Sequence, residues 1–219
     1  MIPTFLAAVF FCFQALALDI RIDFSTAGGS AGNNWNTLSA ANLTGSTTSL
    51  IDHAAGAPTG ITVTGTGWTT DYNAPMITLP SWWDGGTAAQ DRIYFYDAGP
   101  QTGSVTLGGL LSSQAYQLEL FSAGDYVDRV ITANSSYGIN SRTGLLDSAW
   151  HGADDGNYGW LIWDQLMPTA GGVVSISFDT TTSGYVNLNA LRLTTVPEPS
   201  VLSLVGVGLL FCLRRRRSV

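Results

Sequence analysis

The chain has 219 residues, only 11% of them charged, and a formal net charge of −7. From Leu18 to Thr195 five arginines face fifteen acids, an excess of ten negative charges, and a surface this acidic argues against nucleic acid as a partner, because such binding is driven by cations that replace counterions on phosphate. Both cysteines, Cys12 and Cys212, lie in the apolar ends, which leaves the stretch between them without a disulfide framework, thiolate catalysis or a Cys-ligated zinc.

Residues 1–17 begin Met-Ile-Pro-Thr, pass through an apolar run from Phe5 to Phe13 and end in Ala15-Leu16-Ala17. That is the shape of a signal peptide with an A-x-A cleavage site, although no Lys or Arg precedes Arg21. Residues 18–195 then read as one domain, of a size that can stabilise itself by burying apolar area.

Strand signals dominate this domain. Leu18–Phe24 alternates apolar and polar residues through three cycles, the pattern of a half-buried strand. From Ala27 to Gly60 the rhythm breaks, and the sequence predicts loop packed over one end of the fold, with room for a helical turn around Ser46–His53. Further strands are expected at Ile61–Thr64, Arg92–Tyr96, Ser104–Leu107, Tyr116–Phe121, Val127–Ile131, Tyr158–Trp163, Val173–Phe178 and Tyr185–Leu193. Nine strands rich in Val, Ile, Thr and aromatics, separated by Gly, Asn, Asp and Ser, predict an all-β fold in which two antiparallel sheets pack face to face.

Residues 196–219 form a third segment. Val201–Leu213 carries no charge and is followed by four arginines. As a helix it spans about 20 Å, short of a hydrocarbon core of about 30 Å, so crossing a membrane requires the flanking residues and snorkelling arginine stems. The arginines would stay on the cytoplasmic side and residues 18–195 outside. Val196-Pro197-Glu198-Pro199-Ser200, the apolar run and the basic end together resemble the PEP-CTERM sorting signal of Gram-negative bacteria. The resemblance implies that Pro197, Glu198 and Pro199 mark recognition by an exosortase-like membrane enzyme. It also implies transient anchoring in the inner membrane, then transfer to the cell surface or release, in organisms that make extracellular polysaccharide.

The phrases IRIDF, NWNTL, SLIDHAAGAPTGITVT, GSVTLGGLLSSQAYQLELFSAG and GYVNLNALRL resemble domains common in PEP-CTERM proteins that are similar to galactose-binding-like jelly rolls. That resemblance implies a sandwich of jelly-roll type and a carbohydrate-binding role.

Chemistry-bearing residues are few. The two histidines, His53 and His151, sit in polar sequence and read as surface, and neither a G-x-S-x-G elbow nor an H-E-x-x-H run occurs. Paired carboxylates such as Asp125 and Asp128, or Asp154 and Asp155, leave open a small carbohydrate-active hydrolase, but Asp is also the ordinary residue of turns. Asp154, Asp155 and Asn157 in HGADDGNYG offer oxygen ligands for a structural Ca2+, though not at EF-hand spacing.

The aromatics are more telling. Trp82 and Trp83 are adjacent, so in extended chain they point opposite ways and only one enters a core comfortably. A flat ring beside Asp84 suits the apolar face of a sugar with hydroxyls at its rim. Tyr126, Trp150 and Tyr158 are further candidates beside polar loops, as are Trp68 and Tyr72. The expected role is noncovalent glycan binding, or a structural part of an extracellular polysaccharide matrix.

Overall fold

The computed structural model describes residues 17–25, 34–73, 91–97, 102–122, 130–137, 140–147, 160–180 and 184–196. The expected signal peptide, but for Ala17, and the tail helix lie outside these residues, and among those described no helix is long and apolar enough to cross a membrane.

The chain folds into two large sheets and a small third one. The first sheet runs in the order β11 (Trp160–Leu166), β8 (Tyr116–Phe121), β14 (Ala190–Thr195), β1 (Asp19–Phe24) and β2 (Asn36–Leu38). The second runs β10 (Asn140–Asp147), β9 (Val130–Tyr137), β12 (Val174–Thr180), β7 (Thr102–Gly108), β4 (Pro58–Thr66) and β3 (Thr48–Ile51). β13 (Gly184–Leu188), β6 (Asp91–Asp97) and β5 (Thr70–Asn73) make the third. All pairs are antiparallel except β1 with β2.

Alternation decides the faces, because successive side chains on a strand point to opposite sides. Ile20, Ile22 and Phe24 of β1, Leu118 and Leu120 of β8, and Leu191 and Leu193 of β14 are fully buried. They meet Val63, Val105, Leu107, Val174, Ile176 and Phe178 of the second sheet in one continuous cluster, so the two sheets share a core. Ile93, Val186 and Leu188 of the third sheet join it. From β7 onward the chain crosses repeatedly between the large sheets, β8 in the first, β9 and β10 in the second, β11 back in the first and β12 in the second. The result is the all-β sandwich that the strand pattern predicts.

Three differences from that pattern have local causes. The stretch from Ala27 to Gly60 is not all loop: it supplies β2, the helix α1 (Ala40–Gly45) and β3. The helical turn lies before Ser46–His53, because Ser39 caps it by accepting from the Asn42 amide at 3.1 Å, while Thr48–Ile51 pairs with β4 instead. Leu43 of α1 drops onto β4 at Gly65, where a Cβ would stand 2.8 Å from its Cγ. The single strand expected at Tyr185–Leu193 divides at Asn189, whose amide donates to the Phe121 carbonyl and whose carbonyl accepts from the Phe24 amide, so β13 and β14 enter different sheets.

At one end of the first sheet the turn between β7 and β8 is pinned three ways. The Leu110 amide donates to the Gly172 carbonyl, the Leu111 amide to the Tyr116 hydroxyl, and the Gln114 amide to the Leu111 carbonyl. Burial pushes the Tyr116 phenol above its ordinary pKa, against the lowering effect of the Leu111 amide. At this same end Thr195 pairs with Tyr116, the Thr195 amide donates to the Leu18 carbonyl, and the Val196 amide donates to the Ala115 carbonyl.

Candidate functional site

Ion-paired side chains of β1, β8 and β14 gather on one face of the first sheet. In β1, β14 and β8 the inward positions are apolar, so Asp19 and Arg21, Arg192, and Gln117 and Glu119 point outward. The register places Glu119 opposite Arg192 and Arg192 opposite Arg21, which lines up three charged side chains across three strands.

Asp19 is the hub of this row. Its carboxylate accepts from Arg21 Nη2 at 2.8 Å and Nε at 3.1 Å, and from Arg192 Nε at 2.9 Å and Nη2 at 3.3 Å. Arg192 Nη1 donates to Glu119 at 3.4 Å. Burial opposes ionisation of Asp19, but the hydrogen bonds and charges of Arg21 and Arg192 outweigh it and hold the carboxyl below its usual range. Glu119, the sole glutamate between Leu18 and Thr195, is buried. The Arg192 side chain keeps 22% of its surface exposed, so this part of the row meets solvent.

A second layer joins the row from β2 and the β3–β4 loop. The Arg21 guanidinium lies 5.8 Å from the Trp35 ring centroid, and His53 packs edge-on against the same ring at 6.0 Å. Asp52 accepts from the Asp19 amide at 3.0 Å and from the Ala55 amide at 2.7 Å, while the His53 amide donates to the Asp19 carbonyl. Asn36 donates to the Arg21 and Ile51 carbonyls and accepts from the Ile51 amide, tying β1 to β3 through β2. Gln117 donates to Asp164 at the bulge in β11. The arrangement binds strands together and offers charge-assisted donors and acceptors beside an indole; it brings together no nucleophile with a base.

The face was not singled out from the sequence, yet a signal was there. IRIDF and ALRL set arginine between aliphatic residues, and YQLELF does the same for glutamate, in a domain with five arginines and one glutamate. Charges at alternate positions of three strands mark one face once the strands are neighbours.

The residues favoured from the sequence fall elsewhere. Trp82, Trp83, Asp84, Tyr126, Trp150 and Tyr158, the calcium candidates Asp154, Asp155 and Asn157, and Pro197, Glu198 and Pro199 all lie outside the described residues, as does His151. Tyr72 sits on β5 opposite Arg92. Trp68 is corrected from possible platform to core: it is buried, stacks edge-on against Phe178 at 5.4 Å and donates from its indole nitrogen to the Ser104 carbonyl at 2.8 Å. His53 is only partly exposed and packed on Trp35.

No curated relative matches the chain by sequence. Among solved structures it is similar to the enzymatically active domain of tailspike protein 4 from bacteriophage CBA120, with 10% identity and a TM-score of 0.39. That alignment covers 63% of this chain and 20% of the phage chain, so the protein spans about a fifth of the tailspike domain's length. It is also similar to TmCBM61, solved in complex with beta-1,4-galactotriose, with 12% identity, a TM-score of 0.37, and coverage of 61% of this chain and 86% of that one. At the other end of the sandwich's last strand the correspondence is with a sequence motif: residues 195–217 match the PEP-CTERM protein-sorting motif, and the chain therefore carries a signal for export and membrane-associated sorting that begins at the final residue of β14.

Proposed function

We propose that this protein is an exported, surface-sorted β-sandwich that binds glycan noncovalently and serves in an extracellular polysaccharide matrix. The observation that carries the reading is the sorting motif at residues 195–217, joined without a linker to a cysteine-free sandwich. An exosortase-like enzyme would act on Pro197-Glu198-Pro199 while the apolar run that follows holds the chain at the inner membrane. Cell-surface or extracellular delivery then places the sandwich where secreted polysaccharide is the abundant ligand.

Glycan contact is assigned to the adjacent Trp82 and Trp83 with Asp84, on the grounds that two consecutive indoles in extended chain point opposite ways and that a flat ring beside a carboxylate complements a sugar's faces and rim. The test is retention of purified protein on the producing organism's own polysaccharide, comparing wild type with the double variant Trp82→Ala, Trp83→Ala. Retention by wild type and its loss in a variant that still unfolds cooperatively is the expected result. Wild-type protein that is folded and passes through unretained would remove the glycan assignment.

A further inference from the structure

The two points at which the described chain leaves the first sheet lie side by side. β1 begins and β14 ends at the same end of the sheet, with Asp19 opposite Thr194 and the Thr195 amide donating to the Leu18 carbonyl. The exit is clamped: the Val196 amide donates to the Ala115 carbonyl, and the Gln114 side-chain amide donates to both the Ala115 and Val196 carbonyls at 2.9 Å. From Val196 to the start of the apolar run at Val201 are five residues, which span at most about 18 Å fully extended. A sandwich held this closely cannot drift far from a membrane that contains residues 201–213.

The surface at that end is suited to such proximity. It is formed by the turn from Gly108 to Tyr116 and by the segment from Gln165 to Val173, which meet where Leu110 bonds Gly172. Neither stretch contains a charged residue, in a domain with fifteen acids. Leu111 is 67% exposed on the first and Met167 37% exposed on the second; they are two of the three exposed large hydrophobic residues among those described. Negative charge here would oppose approach to anionic lipid, whereas an exposed Leu and Met gain from leaving water. Three acids border the patch, each with partners: Asp19 is held by Arg21 and Arg192, Asp52 by the Asp19 and Ala55 amides, and Asp164 by Gln117.

We propose that, while the tail is inserted, the sandwich rests on the lipid surface through this uncharged patch, with Leu111 and Met167 entering the headgroup region. The inference rests on the anchoring part of the proposed function and adds an orientation to it. The ionic row around Asp19 then stands sideways to the bilayer, and the opposite end, where β7 begins at Thr102, points away from it.

The test uses the chain without the expected signal peptide, residues 18–219, with Cys212→Ser and a single introduced cysteine at Leu111→Cys, Met167→Cys or, as the distal control, Thr102→Cys. Each is labelled with an environment-sensitive fluorophore and reconstituted in vesicles of phosphatidylethanolamine and phosphatidylglycerol, with and without headgroup-nitroxide lipid. Co-flotation reports anchoring. A blue-shifted emission and nitroxide quenching at 111 and 167, absent at 102, are expected. Chain that floats with the vesicles but is quenched no more at 111 and 167 than at 102 overturns the orientation while leaving the anchor intact. Chain that does not float removes the anchoring reading, and the orientation with it.

Discussion

At Asp19 two guanidiniums compensate one half-buried carboxylate, and the balance is lopsided in an instructive way. Replacing it by Asn keeps the shape but leaves Arg21 and Arg192 facing each other across adjacent strands with less neutralising charge. The expected cost is roughly 1–3 kcal/mol, the range for a hydrogen-bonded charge that is only partly withdrawn from solvent. The pH dependence follows from the sign of the shift. A carboxyl whose pKa is lowered on folding stabilises the fold fully above its unfolded pKa, and that contribution disappears as pH falls through the folded value. Urea unfolding of wild type and Asp19→Asn should therefore differ most near neutrality and converge in strong acid. Parallel curves across that range would show that folding does not lower the Asp19 pKa. Trp68 makes the complementary point about reading single residues. Its setting, TGTGWTT, looks like a loop, and nothing local announces that a carbonyl at Ser104 will accept its indole proton or that Phe178 will pack against it.

Among the elements, β1, β7, β8 and β12 were legible because each alternates over at least six residues, and alternation is what a half-buried strand requires. β2, β3 and β5 have three or four residues each, too few to show a period, and β10 reads Asn-Ser-Arg-Thr-Gly before its two leucines. The division of β13 from β14 was written in the sequence in a form easily passed over. Val186 and Leu188 are buried at even positions and Leu191 and Leu193 at odd ones, and such a change of parity in one run signals a bend. Turns are held as specifically as strands. Gly172 has φ +71°, and a Cβ there would collide with the Leu110 carbonyl, while Gly171 meets nothing closer than Thr169 Oγ1 at 3.8 Å. Gly172→Ala is expected to cost about 1–3 kcal/mol and Gly171→Ala less than about 0.5 kcal/mol in thermal or denaturant unfolding. Equal effects would mean that the turn relaxes freely.

For the whole molecule, the segment that sorts the protein is chemically unlike the segment that is sorted. The sandwich is acidic and stabilised by its own core, whereas the tail is apolar with a basic end. If the tail is an address removed by an exosortase-like enzyme, intact mass of protein taken from the native surface will lack Val201–Val219; a mass that retains the four arginines defeats removal. The placement of β14 has one more consequence, which concerns time. The last strand among the described residues does not sit at an edge of the first sheet but between β8 and β1, and it joins Arg192 to Asp19 across 173 positions. Without it that sheet falls into two unconnected pairs, β11 with β8 and β1 with β2. A nascent chain therefore cannot complete that sheet until β14 has been made, whatever has folded before it.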